Sequence, residues 1–231
     1  MTLLAVDCAT NACSAALWLD GGPGPRRYRP MRRGHAEALM PMVGAVMDEA
    51  GLSFSDLDAI AVTTGPGAFT GIRIGLAAAR GFALAAGLPL IGVTTLEAVA
   101  SAHDGGGAHL LVALDSKRDD IYVQLFGPDG APLTDPASAV PEAAARLVPE
   151  GPAVALAGDA ADRMAAALAG REPAPRRLGG PGLPDAAVVA QLAARRFAAA
   201  PPGPRKAPPS ALYLRPPDAV PAAQRRVTQG R

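Results

Sequence analysis

The sequence predicts an α/β fold of two similar lobes, each a mixed β-sheet with flanking helices. Three observations carry this. Over residues 58–95 the order strand, Gly/Pro loop, helix, strand predicts parallel pairing on a right-handed crossover. The run HDGGG at 103–107 is the clearest boundary in the chain. Beyond it a second series of apolar strands and alanine-rich helices follows. A chain of 231 residues can build one large domain or two small ones and needs neither disulfide nor metal to bury a core.

The elements follow in order. Residues 3–7, LLAVD, read as a buried strand ending in an acid, and 14–19, SAALWL, as a second strand, so DCATNAC is a tight connection. GGPGPRRYRP reads as turn residues plus a third, edge strand. From His35 the pattern turns helical, with Leu39, Val43, Val46 and Ala50 at i, i+4, i+7, i+11, and Gly51 closes the helix. DAIAVTT is a strand, residues 71–87 a helix ending at Gly87, LPLIGVTT a strand, and TLEAVASA a short helix. In the second half, HLLVALDSKRDDIYVQLF reads as a hairpin, 142–148 as a short helix, 154–159 as a strand, and 160–169 and 184–200 as helices. PPGPRKAPPS is an extended linker, ALYLRPPD a segment able to dock as a strand, and the last residues fray. The expected division is 1–103, 104–200, and a proline-rich tail 201–231, partly docked.

The formal net charge of +1, from 22 basic and 21 acidic side chains, argues against nucleic-acid binding by phosphate neutralisation as the main role. The clusters Arg26, Arg27, Arg29, Arg32, Arg33, then Arg205, Lys206, then Arg225, Arg226 read as solvated loops, though a basic tail is compatible with touching RNA inside a complex. The N-terminus lacks a basic region before its apolar run and carries Asp7 within it, unlike a signal peptide. No uninterrupted apolar run spans a bilayer. Cys8 and Cys13, the only cysteines, read as reduced thiols of a cytoplasmic protein.

The chemistry-bearing candidates are few. In TTGPGAFTGIRIG the glycines Gly65, Gly67 and Gly71 fit neither GxxxxGK[ST] nor GxGxxG. Two readings stand: backbone N–H groups at a helix start that attract phosphate, or sharp turns and close packing, with Gly71, Gly75 and Ala79 as a small-residue stripe. The histidines His35, His103 and His109 include no pair at helical ligand spacing. Asp115, Asp119 and Asp120 flank a hairpin and read as turn formers.

LLAVDCATNACSAALW, HAEALMPMV, TTGPGAFTGIRIGLAAARGFALAAGLPLIGVTTLEAVA, ALDSKRDDIYVQLF and ALYLRPPDA stand in the order of the TsaB (YeaZ) family, which the chain resembles over most of its length. The resemblance implies the two-lobed fold of actin, sugar kinases and heat-shock ATPases. It also implies a relation to TsaD, the catalytic subunit that makes N6-threonylcarbamoyladenosine in tRNA beside the anticodon. TsaD-like chains carry GVNHxEGH where this one reads Gly92 to Val99, so Thr95 and Val99 stand at the two metal-ligand positions and no metal site is expected. The phosphate-gripping turn, often DTST in the family, reads Asp7, Cys8, Ala9, Thr10 here. Asp7, Thr10, Gly65, Gly67 and Thr70 are thus expected to form degenerate phosphate loops.

The resemblance further implies a non-catalytic activating subunit, with no catalytic residue of its own. It would pair with itself as a homodimer or with a TsaD homologue, and work with a TsaE-type ATPase, meeting tRNA only through the complex and no membrane. No cofactor is expected on this chain alone, with ATP or ADP placed at a partner interface. The interface residues carried over are Leu39, Val43, Val46, Gly71, Ile72, Gly75, Leu76 and Ala79, so Gly75→Arg is expected to abolish pairing and spare the fold. The competing reading is an ATP-binding enzyme of the same fold, a small-molecule kinase or a metal-dependent glycopeptidase.

Overall fold

The computed structural model describes residues 1–199 and 207–215. The first sheet holds β1 (Thr2–Asp7), β2 (Ala12–Leu19), β3 (Gly22–Pro30), β4 (Ala59–Thr63) and β5 (Leu90–Val93), in the order β3-β2-β1-β4-β5. β1, β2 and β3 form an antiparallel meander, and β4 and β5 run parallel to β1. Between and after them come helices α1 (His35–Ala50), α2 (Phe69–Ala86) and α3 (Thr95–Ser101). The second sheet holds β6 (His109–Asp115), β7 (Ile121–Phe126), β8 (Ala137–Ala139), β9 (Val154–Ala157) and β10 (Arg176–Arg177), in the order β10-β9-β6-β7-β8. Its helices are α4 (Pro141–Ala144), α5 (Ala161–Ala167) and α6 (Ala186–Ala199). The topology of the first lobe is therefore repeated strand for strand in the second. The sequence did not signal β8 or β10, which are too short to show a period.

Strand alternation sets the packing. On β1, Leu4 and Val6 face one side and meet α1 and α2 through Leu39, Val43, Val46, Ile72, Leu76 and Ala79. Full burial of each large side chain here contributes about 1.5–3 kcal/mol. Leu3 and Ala5 face the other side. Gly51 and Gly87 close α1 and α2 in the left-handed conformation (φ 66° at both), where glycine carries no Cβ penalty. By length and composition α2 alone among the described helices could cross a membrane, yet one of its faces lies on β4.

One sheet lies before residue 103 and the other after residue 104, and two helices cross between them. α3 packs on β6 and β7, burying Leu96 and Val99 among Leu110, Val112 and Leu114. α6 crosses to the first sheet, where Ala186, Val189, Ala190 and Ala193 cover Leu3, Ala5, Ala16, Ala59 and Ala61. Each lobe thus lends its last helix to the other, because α1 with α2, and α4 with α5, cover only one face of their own sheets. Alanine on both sides lets α6 approach closely. Its start is fixed by Ser14 Oγ, which accepts from the Ala186 N–H (2.9 Å), and by Asp185, which accepts from Arg26 Nε (2.9 Å) and the Ala187 N–H (2.9 Å).

Residues 207–215 dock across both lobes, but not as the expected strand. A single ladder-like bond forms, from the Leu212 N–H to the Thr64 carbonyl (2.8 Å). Arg80 donates to the Pro209 carbonyl (2.8 Å), Tyr213 stacks on Phe69 (4.7 Å between centroids), and Arg215 donates to Asp120 Oδ1 (2.7 Å) on the second lobe. Extended residues rich in proline offer too few free N–H groups for more pairing. Arg215→Ala is expected to cost about 1 kcal/mol in urea unfolding, the net worth of one partly exposed hydrogen-bonded contact. Residues 201–206 of the expected linker and the fraying of the last residues, with Lys206, Arg205, Arg225 and Arg226, lie outside the described residues.

Candidate functional site: the first hairpin turn and the outer helix face

The turn between β1 and β2 faces the start of α2 across a very short distance. The Ala68 N–H donates to the Ala9 carbonyl (2.7 Å). A Cβ added at Gly67 would lie 2.1 Å from that carbonyl oxygen, and one at Gly71 would lie 2.0 Å from the Cys8 oxygen. Both glycines therefore serve close packing, and carbonyl oxygens of the turn stand against the helix start where a phosphate would have to sit. Gly65 (φ 102°) makes the sharp turn after β4 and is backed by the Leu212 carbonyl. Thr70 is exposed on the first turn of α2.

Asp7 is fully buried. Its Oδ1 accepts from Thr63 Oγ1 (2.6 Å) and from the Ala9 N–H (3.1 Å), so it caps the turn, while Oδ2 has no partner among the described residues. Burial pushes its carboxyl up from the ordinary 3.8 to about 7, against those two hydrogen bonds and with a small push from Asp185. The Thr10 hydroxyl is also buried and without a described partner, and the Thr10 carbonyl meets His35 Nε2 at 3.0 Å.

Between the lobes lies a cleft of about 70 Å³, lined by Ala9, Thr10 and Gly67 on one side and by Asp115, Lys117 and Asp159 on the other. Small-molecule pockets run from roughly 300 to 1,000 Å³. The cleft is smaller than that range, and Lys117, which could meet a phosphate, is engaged by Asp115 Oδ2 (2.6 Å). Thr95 is buried and donates to the Pro66 carbonyl (2.5 Å), and Val99 is part of the core. No group of three or more His, Cys, Asp or Glu with metal-binding geometry occurs among the described residues.

The carried-over interface residues are in the wrong place for direct contact. Leu39, Val43, Val46, Gly71, Ile72, Gly75, Leu76 and Ala79 are all buried inside the chain. A Cβ added at Gly75 would lie 3.5 Å from Val62 and 3.7 Å from Cys8, so the long side chain of Gly75→Arg would break the lobe rather than test pairing. The same two helices do present an outer apolar face that the sequence reading missed. On α1 it comprises Ala36, Met40 (53% exposed) and Gly44, and on α2 Ala77, Gly81, Leu84 (85% exposed) and Ala85. A Cβ at Gly44 or Gly81 would touch nothing within 4 Å, which leaves this face low and open. The available signal was glycine in two helix interiors, where nothing inside the chain requires it.

The repeated sheets, the exchanged helices and the cleft facing the first hairpin turn define a member of the two-lobed class of actin, sugar kinases and heat-shock ATPases. The (R)-2-hydroxyglutaryl-CoA dehydratase component A of Acidaminococcus fermentans shares the fold, with TM-score 0.51 at 12% identity over 86% of this chain and 99% of that one. YeaZ from Pseudomonas aeruginosa superimposes with TM-score 0.73 at 34% identity, covering 85% of this chain and 92% of that chain. The tRNA threonylcarbamoyladenosine biosynthesis protein TsaB of Escherichia coli is 41% identical over 124 residues, about half of each chain (53% and 53%). Residues 28–174 match the family model described as TsaD, tRNA N6-adenosine threonylcarbamoyltransferase. The chain belongs to the TsaB (YeaZ) family of tRNA threonylcarbamoyladenosine biosynthesis, within the wider TsaD-like family.

Proposed function

We propose that this protein is a non-catalytic activating subunit that pairs through the outer face of α1 and α2 with a TsaD-type subunit. With a TsaE-type ATPase, the pair supports formation of N6-threonylcarbamoyladenosine in tRNA. The observation that carries the reading is the exposed apolar face of Met40, Gly44, Ala77, Gly81 and Leu84 on two neighbouring helices. Exposed large apolar side chains beside small residues allow a partner helix to approach and bury them. Methionine adapts its shape to such a contact. A homodimer would use the same face, so self-pairing and partner pairing compete. The packed turn at Ala9 and Gly67 supports the non-catalytic part of the reading, since the usual place for phosphate is filled by backbone.

The test is size-exclusion chromatography with light scattering, on the chain alone and mixed with its own organism's TsaD-type protein. Leu84→Asp and Gly81→Arg are expected to weaken pairing at least tenfold, because a charge or a long side chain then stands in the contact, while the melting temperature stays close to that of the wild type. Unchanged co-elution of both variants with the partner would remove this surface from the reading.

A further inference from the structure

Apart from the pairing face, the first hairpin carries a second feature that neither the fold nor the proposed pairing requires. Cys8 and Cys13 are the chain's only cysteines, both are free, and both are buried. Their sulfurs lie 3.6 Å apart. The strand register explains this meeting. Asp7 pairs with Ser14 at the end of the β1–β2 ladder, so the next step along the hairpin sets Cys8 opposite Cys13. Directly opposed residues of an antiparallel pair have Cα atoms about 4.5–5.5 Å apart. That spacing falls inside the range a disulfide requires, roughly 4.4–6.8 Å. Closing the bond asks the two sulfurs to approach by about 1.5 Å, a motion that rotation about two χ1 angles supplies.

We propose that Cys8 and Cys13 are a reversible dithiol–disulfide pair, a modification site that takes a small hydroperoxide as its oxidant. Burial excludes bulky disulfides, so the oxidant must be of the size of hydrogen peroxide. The two sulfurs share one hydrogen bond, and that contact lowers the Cys13 pKa while it and burial raise that of Cys8. Either thiol can lead; from Cys13, the thiolate attacks one peroxide oxygen, the O–O bond breaks, and the departing hydroxide takes up a proton to leave as water, giving a sulfenic acid at Cys13. The Cys8 sulfur then displaces the hydroxyl from that sulfenic acid. The S–S bond forms, the S–O bond breaks, and the hydroxyl leaves as a second water with the Cys8 proton. In sum two thiols and one hydrogen peroxide become one disulfide and two waters.

The position gives the bond a readout beyond the sulfurs. The Cys8 carbonyl is the surface on which Gly71 of α2 rests, and Cys8 Cβ lies against Gly75. A bond to Cys13 ties the seat of α2 to β2. Amide exchange in the first two turns of α2 is therefore expected to change on oxidation, and to revert on reduction.

The experiment treats the intact chain with hydrogen peroxide, quenches it in denaturant with an alkylating reagent, and measures intact mass. The expected result is a loss of two hydrogens in mass and of both alkylatable thiols, with a peptide linking Cys8 to Cys13 and full reversal by dithiothreitol. Cys8→Ser is expected to stop at an added oxygen on Cys13 without that loss. The same oxidation applied to the chain unfolded in urea calibrates the dose. If the folded chain keeps both thiols alkylatable at a dose that closes the bond in the unfolded chain, or if the thiols pair only between molecules, the proposal is overturned.

Discussion

Gly71→Ala is expected to lower the melting temperature by about 6–12 °C. The reason is geometric. The new Cβ would fall 2.0 Å from the Cys8 carbonyl oxygen and 3.2 Å from its carbon. That neighbour is backbone, held in the β1–β2 hairpin, and cannot turn aside as a side chain could. Overpacking of this kind costs about 3 kcal/mol, and each kcal/mol moves the midpoint of a chain of this size by about 2–4 °C. Gly67→Ala meets the Ala9 oxygen at 2.1 Å and should behave alike. Gly81→Ala is the control, since its Cβ meets nothing within 4 Å. There the gain in helix propensity is expected to raise the midpoint by about 2 °C. A thermal melt that finds Gly71→Ala as stable as the wild type would mean that the helix start does not rest on the turn. The phosphate reading of the loop would then reopen.

The contrast between Gly71 and Gly81 also shows what the sequence could and could not tell. The order of the longer elements and the β4–α2–β5 crossover were legible, because strand and helix periods differ and glycine marked the helix ends at Gly51 and Gly87. The apolar stripe of α1 and α2 was legible as a stripe, yet its direction was not. α2 is small or apolar nearly all round, with Ala77, Gly81 and Leu84 opposite Ile72, Leu76 and Ala79. Period alone cannot say which of two such arcs meets the sheet. The clue lay in size: the bulky β-branched Ile72 and the leucine one turn on fill a core, whereas the outer arc holds mostly alanine and glycine. The destination of α6 was illegible for another reason. Its alanine stripe fits either sheet, and the decision rests on the Arg26–Asp185 and Ser14–Ala186 hydrogen bonds, whose partners are 159 and 172 residues apart. At the turn, the loss of hydroxyls was visible in Cys8 and Ala9. That carbonyls of those same residues fill the helix start follows only from the tertiary approach.

Asp7 supplies the second large effect, and its sign is opposite to that of most carboxylates. A carboxyl whose pKa is lowered by folding stabilises the protein above its ordinary pKa. Here burial raises the value from 3.8 to about 7. The contribution of neutral Asp7 is therefore fully present below 3.8 and is lost as the pH rises through about 7. Between about pH 4 and about pH 8 this one group is expected to remove about 4 kcal/mol, or about 8–16 °C in the melting midpoint. Asp7→Asn keeps an acceptor for Thr63 and Ala9 in the position of Oδ1 and cannot ionise. The variant should lose most of that pH dependence and melt above the wild type at about pH 8, with no such advantage at about pH 4. Parallel melting curves for the two proteins across this range would show that Asp7 stays ionised in the fold. A cation or water would then have to reach Oδ2, and the turn would be a site that still accommodates a charge. With the expected result, the turn is a dry, neutral bed for α2, and what the chain offers outward is the helix resting on it.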